Sequence, residues 1–285
     1  MSLVKTTQLV VGDKEIKNVK NIKNSSKQCL EEFFILSTFV FMEKETKIFG
    51  IRTIIEAINS GETIDKVFVQ KGLKGELFFE LDKLLRKHSI NTSYVPVEKL
   101  NRLSNKNHQG VVAQISPIEF HDLETLVLEV IESGKNPLFL LLDQISDVRN
   151  FGAIIRTAEC TGVNGIIIQK KGGAPVNGDT IKTSAGAVFK IPICKADHIK
   201  DAMFFLQASG IKVIAATEKT DNNLYDVSFK EPCAIIMGSE GRGVSSSILK
   251  LADDKAKLPM FGDIGSLNVS VACGAFLYEV VRQRL

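Results

Sequence analysis

Three stretches, far apart in this 285-residue chain, collect the residue types that ligand chemistry requires. The first contains Asn150, Gly152 and Arg156, in the segment after the apolar run Leu138 to Leu142. Asn150 and Gly152 read as a turn, with a helix starting near Phe151. Arg156 then sits more than one turn in, where its guanidinium offers a fixed cation and a planar fork of donors. Read singly, it is more simply a surface arginine. The second stretch, Gly238-Ser239-Glu240-Gly241-Arg242-Gly243-Val244-Ser245, follows the apolar run ending at Met237. Its glycines let backbone approach a ligand closely and adopt positive φ. It lacks the Gly-Lys-Ser/Thr ending of a phosphate loop and is not G-x-G-x-x-G, so a nucleoside without phosphate suits it better. The alternative is a plain glycine-rich turn before a helix at Ser245. The third stretch runs from Leu258 to Ala272 and joins a short strand to the last helix. Ser266 is expected to cap that helix, and Ser266 and Asn268, with the free amides of its first turn, can hold polar groups of a ligand. Val269, Val271, Ala272, Ala275, Phe276, Val280 and Val281 make the helix apolar on more than one face, which demands either a core or a second subunit against it.

These stretches need a scaffold, and the surrounding pattern supplies one. Continuous apolar runs at Leu138 to Leu142, Gly165 to Ile168, Lys212 to Ala216 and Cys233 to Met237 have the character of buried parallel strands. With helical stretches between them they predict an open parallel sheet with helices on both faces, whose ligand sites lie beyond the carboxyl ends of the strands. Ahead of it, a helix from Ile51 to Ile58, a strand from Lys66 to Gln70, a helix from Glu76 to Lys87, a strand around Tyr94 and a closing strand from Val111 to Ile115 predict a small α/β sandwich. A mixed helix after Pro117, ending near Ser133, reads as the connection, with Gly134 to Pro137 as the boundary. The expected organisation is an extension of unassigned role over residues 1–45, a small front domain at 46–118, a linker at 119–136 and a larger domain at 137–285.

Composition narrows the class. Hydrophobic residues make up 44% and charged residues 24%, which is ordinary for about two globular domains at this length. The net charge of +3 is mild, but it is unevenly placed. Met1 to Gly110 carries 18 basic and 13 acidic residues, against 18 and 20 in the remainder. A basic front module suits contact with phosphate, although a solvated lysine-rich surface would give the same count. The five cysteines, Cys29, Cys160, Cys194, Cys233 and Cys273, form no C-x-x-C pair and fit a reducing cytoplasm. The histidines are scattered as well, so no metal is expected. The apolar run Phe33 to Met42 is far short of the roughly 20 residues that cross a bilayer.

Together the three stretches resemble the signature set of the SpoU branch of the SPOUT RNA methyltransferases: N-x-G-x-x-x-R at Asn150 to Arg156, M-G-S-E-G-x-G at Met237 to Gly243 and S-L-N-V-S at Ser266 to Ser270. Thr183-Ser184-Ala185-Gly186-Ala187 also resembles a recurrent stretch of that family. The front module, with His108-Gln109-Gly110-Val111 near its end, is similar to the ribosomal-protein-like RNA-binding domain of the family's bacterial ribosomal RNA enzymes. The likeness covers Phe49 to Leu285.

That resemblance implies an α/β SPOUT domain with a C-terminal trefoil knot, an exception to the rule that chains avoid knots. It implies S-adenosylmethionine as cofactor, held by Thr217, Gly238, Leu258, Met260 and Leu267, and a homodimer through the C-terminal domain whose two subunits build the active region. The implied reaction moves a methyl group to a ribose 2′-hydroxyl of RNA, with a guanosine of large-subunit ribosomal RNA as the expected target and transfer RNA as the runner-up. Arg156 matches the family arginine proposed to help remove the hydroxyl proton. Because arginine stays protonated, stabilising the developing alkoxide is physically the easier task. Asn150 and Asn268 would orient, Glu240 would organise the loop and the arginine, and Ser266 would hydrogen-bond near substrate or cofactor. A non-catalytic RNA-binding or ribosome-assembly protein on the same fold is the main reading from another class. A dinucleotide-dependent oxidoreductase fails for want of a G-x-G-x-x-G after a strand.

Overall fold

The computed structural model describes residues 47–105, 107–263 and 265–285. The extension at 1–45, Cys29 and the run Phe33 to Met42 lie outside them. Two sheets organise the described chain.

The first carries β1 (Lys47–Phe49), α1 (Ile51–Asn59), β2 (Ile64–Gln70), α2 (Glu76–Lys87), β3 (Thr92–Val95), α3 (Val97–Leu103) and β4 (Val111–Ile115), with strand order β1-β4-β2-β3. Strand alternation sends Val67, Val69, Val111 and Ala113 to one face, where they bury Ile54, Ile55 and Ile58 of α1 and Phe78, Leu81 and Leu85 of α2. The opposite face holds a smaller cluster of Val95, Val112 and Leu100 of α3. The β1 strand and α3 escaped the sequence pattern because each is short and only partly apolar. The β2 strand begins earlier than expected and is irregular between Ile64 and Lys66, leaving Asp65 out of the pairing register with β4.

Next, α4 (Leu123–Glu132) starts on Asp122, whose Oδ1 accepts from the Thr125 amide at 2.9 Å. The second sheet then follows through β5 (Leu138–Asp143), α5 (Val148–Cys160), β6 (Gly165–Gln169), α6 (Gly178–Thr183), β7 (Ile193–Ala196), α7 (Ile199–Ala208), β8 (Lys212–Ala216), β9 (Cys233–Gly238), α8 (Ser246–Leu249), β10 (Asp254–Ala256) and α9 (Val269–Arg284). Its order is β10-β8-β9-β5-β6-β7 and every pairing is parallel. Phe139, Leu141, Ile167, Val213, Ala234 and Ile236 pack with α4, α7 and α8, while α9 packs on β9 and α5. The expected α/β class, a parallel sheet with helices on both faces, is therefore present.

Two local expectations are corrected. Asn150 and Gly152 do not form a turn: α5 begins at Val148, capped by Asp147, whose Oδ1 accepts from the amides of Arg149 and Asn150 at 2.9 Å each. Gly152 is instead a packing residue. A Cβ there would collide with the Thr183 side chain and lie 2.9 Å from the Ser184 amide nitrogen, so only glycine lets α5 press against the end of α6.

The far end of α9 is fastened below the sheet. Arg284 donates to the carbonyls of Phe229 at 2.9 Å, Asn136 at 2.9 Å and Glu231 at 2.8 Å. Glu279, 5% exposed, accepts from Arg282 Nε and a terminal guanidinium nitrogen at 2.8 Å each, and from Gln283 at 2.8 Å. The Arg282 bonds hold the Glu279 carboxyl below its ordinary range. A carboxyl depressed on folding stabilises the protein fully above its unfolded pKa, and that stabilisation fades as pH falls through the folded value. Glu279→Gln should therefore lower the unfolding free energy near neutrality by only about 1 kcal/mol, because Arg282 is largely in solvent, and the gap to the parent protein should close in acid. Urea titrations at several pH values check this.

Candidate functional site

The winding order of the strands reverses between β5 and β9 of the second sheet, the switch point at which parallel sheets open a ligand crevice. At their carboxyl ends Asp143 stands opposite Gly238. The Asp143 side chain is buried, at 2% exposure, and its Oδ2 accepts from the Ser245 amide at 2.9 Å. One carboxylate thus ties the far end of the glycine-rich loop back to β5. Within the loop the Gly243 amide donates to the Ser239 carbonyl at 2.8 Å, and Gly243 sits at φ +66°. This tight return lies directly on the strand end, since a Cβ at Gly238 would collide with the backbone of Gly243 and Val244. The loop's glycines therefore serve close backbone packing as well as ligand approach.

Beside this turn lies a cavity of about 330 Å³. Thr217, Gly238, Leu258, Met260 and Leu267 all line it, as do Glu240 and Ser266. Thr217 is held by its amide, which donates to the Ala256 carbonyl at 2.9 Å. Apolar surface from Leu258, Met260, Leu267 and Phe276 faces charged groups from Glu218, Glu240, Lys219, Arg242 and Lys257 around the same space. Met260 and Leu267 are 41% and 44% exposed, apolar area that a ligand would cover. Sequence reasoning missed Glu218, Lys219 and Asp143; the one available signal was an acidic residue just after two of the apolar runs, Asp143 after Leu142 and Glu218 after Ala216.

A polar cluster borders the cavity. Asn150 Nδ2 donates to Glu240 Oε1 at 2.6 Å, and Asn268 Nδ2 donates to Asn150 Oδ1 at 2.9 Å and to Glu240 Oε1 at 3.0 Å. Residues from α5, the glycine-rich loop and the start of α9 thereby meet at one carboxylate oxygen. Asn268, not Ser266, caps α9, its Oδ1 accepting from the Ser270 amide at 3.0 Å and the Ser270 hydroxyl at 2.6 Å. The cap falls on Asn268 because α9 begins at Val269, which leaves Ser266 two residues ahead of the cap position. A small polar pocket of about 150 Å³, lined by Asn150, Glu240, Gln144, Asp147 and Val269 among others, adjoins this cluster.

Arg156 is placed differently. It lines neither space, is exposed, and makes no hydrogen bond or ion pair within the described residues. Six residues beyond Asn150, it lies ~9 Å farther along α5 and on another side of the helix. Three buried thiols lie in the sheet or on the inner side of α9: burial pushes Cys194 up to about 12, Cys233 up to about 11 and Cys273 up to about 12, so none offers a thiolate at neutral pH.

A covered parallel sheet with a ligand cleft at its carboxyl edge is the layout of an α/β enzyme. Comparison with known proteins makes the assignment finer. The SpoU rRNA Methylase family matches residues 137–278, and the domain described as RNA 2′-O ribose methyltransferase substrate binding matches 47–121. A relative in Staphylococcus saprophyticus, assigned to the TrmH family of tRNA/rRNA methyltransferases, is 33% identical over 85% of this chain and 97% of its own length. A Bacillus subtilis relative of the same assignment is 32% identical over 83% and 95%. Among solved structures, the SpoU methyltransferase AviRb from Streptomyces viridochromogenes is 26% identical with a TM-score of 0.54, covering 84% of this chain and 89% of that one. The same protein has also been crystallised in complex with AdoMet. The chain belongs to the SpoU (TrmH) family of RNA methyltransferases.

Gly238→Ala should destabilise the fold by roughly 1–3 kcal/mol, because the colliding atoms are backbone and cannot swing aside. Chemical denaturation compared with Gly241→Ala, where a Cβ would meet nothing within 4 Å, tests this, with little change expected at Gly241.

Proposed function

We propose that this protein methylates a ribose 2′-hydroxyl of RNA using S-adenosylmethionine, and that its target is a guanosine of large-subunit ribosomal RNA. The observation that carries the reading is the junction of the cavity around Gly238 with the Asn150, Glu240 and Asn268 cluster. The cavity's chemistry fits the cofactor. Apolar Leu258, Met260 and Leu267 suit a base, Thr217 and nearby backbone suit polar atoms, and Glu218 and Glu240 suit a ligand carrying positive charge. When bound, S-adenosylmethionine supplies a methyl group already activated on a sulfonium.

The chain's own task is then alignment and charge control. Asn150 and Asn268, fixed to each other and to Glu240 Oε1, orient the ribose. Glu240 Oε2 has no hydrogen bond within the described residues and is available to substrate or to an arginine. Ser266, on the cavity wall, hydrogen-bonds near the reacting groups. Arg156 stabilises the developing negative charge on the oxygen while its proton passes to solvent water, a role open to a group that stays cationic.

Its place outside its own cleft is consistent with a homodimer. Val271 and Tyr278, 58% and 57% exposed and seven residues apart, present one apolar side of α9. Thr157, next to Arg156, packs by Gly274 between them. A second copy on this surface would cover the apolar side and bring Arg156 toward the partner's cleft. The expected domain limits, with RNA held by 46–118 and chemistry in 137–285, and the knotted C-terminal course belong to the same proposal. The front module favours ribosomal RNA over transfer RNA.

Tritiated methyl transfer from S-adenosylmethionine to RNA from cells lacking the protein, followed by mapping of 2′-O-methyl groups, tests the reading. A labelled guanosine in large-subunit RNA is expected, a transfer RNA site would change the substrate, and no transfer would reject the reaction. Arg156→Ala should abolish transfer, by at least ~100-fold, with thermal stability and cofactor affinity nearly intact. Wild-type turnover by that variant would remove Arg156 from the mechanism.

A further inference from the structure

The front module and the second sheet meet through a small set of specific contacts around Lys195, on the edge strand β7. Lys195 Nζ donates to Asp65 Oδ1 at 2.6 Å, and the two side chains are only 17% and 10% exposed. Its ammonium also lies 3.7 Å from the ring centroid of Phe120, in the segment between the sheets. Asp65 is the residue left out of register in β2, and such a bulge re-aims a side chain away from its own ladder. The next residue of the connecting segment, His121, pairs in parallel with Cys194, its amide donating to the Ile193 carbonyl at 2.9 Å. Asn91, just before β3, adds a bond from its Nδ2 to the Lys170 carbonyl at 3.1 Å. The connecting segment is therefore stitched to the edge strand β7 at a single bridge, and one lysine contacts both the module ahead of it and the segment itself.

We propose that Lys195 is a positioning residue for RNA: by gripping Asp65 and Phe120 together it fixes the front module relative to the methyl-transfer cleft. The inference rests on the reading that RNA is held by the front module. A ribose can reach the cavity at Gly238 only if the module that grips the surrounding RNA stands at a set distance. Fixing that distance makes delivery of the nucleotide effectively intramolecular. A largely desolvated ion pair suits the task. It has one geometry, and losing either partner strands a charge, whereas an apolar contact tolerates sliding. The cation over the Phe120 ring adds a second, directional hold.

The test compares the full chain with Lys195→Met, Lys195→Arg and the charge swap Lys195→Asp with Asp65→Lys. Hydrogen exchange across residues 117–123 reads the stitch without using activity, and steady-state kinetics with RNA from cells lacking the protein reads the delivery. Lys195→Met should speed exchange at the His121 amide and raise KM for RNA by about tenfold. Its KM for S-adenosylmethionine and its kcat at saturating RNA should stay within about twofold, as positioning rather than chemistry is affected. Lys195→Arg should keep most of the parental behaviour and the charge swap should recover much of it. A parental KM for RNA in Lys195→Met would overturn the proposal whatever its exchange rate, as would a Lys195→Arg variant as impaired as Lys195→Met. If Lys195→Met fails to fold, the swap and the arginine variant decide on the same readouts. An unmodified chain that transfers no methyl group would count against the reaction proposed above, while the exchange measurement would still decide the latch.

Discussion

The approach of the glycine-rich loop to the end of β9 is the constraint on which the site depends. Gly238 lies so close to Gly243 and Val244 that a single added carbon would not fit, and the Asp143 carboxylate closes the return by taking the Ser245 amide. This fold-back puts Glu240 at the rim of the cavity and, on its other side, within reach of Asn150 and Asn268. If the loop stood off from the strand, the cavity and the polar cluster would no longer share a wall.

The polar cluster shows how little machinery is needed once backbone placement is fixed. Two carboxamides and one carboxylate oxygen come from three separated elements, and Asn268 uses its remaining oxygen to cap α9. The start of the last helix and the geometry of the site are thereby set by one side chain. At its other end the same helix is fastened by Arg284 and Gln283 to carbonyls beneath the sheet. Held at both ends and packed against α5, α9 is a rigid wall on which the third motif is mounted.

The two sheets differ in how they are stabilised. The second is buried on both faces at its centre, where β5, β6 and β9 are mostly apolar along their whole length. The first is thinner on one face, where α3 covers only a small cluster. Polar contacts with side chains from both sheets, Asp65 with Lys195 and Asn91 with the Lys170 carbonyl, join them. Such contacts are directional, so they define an orientation that a smooth apolar interface would leave free to slide.

The sequence by itself determined the parallel core, because runs such as Leu138 to Leu142 and Cys233 to Met237 are apolar without alternation and have only one comfortable environment. It also marked the cavity: Thr217, Gly238, Leu258, Met260 and Leu267, named from family likeness, line one space. Tertiary structure decided the rest. That Gly152 serves packing against Thr183, and that Asn268 meets Asn150, depend on neighbours 31 and 118 residues away, which no local pattern encodes. The bulge that turns Asp65 toward Lys195, 130 residues on, is of the same kind. Periodicity reports which face of an element is apolar, whereas the partner that a particular polar atom finds is fixed only when distant elements are packed together.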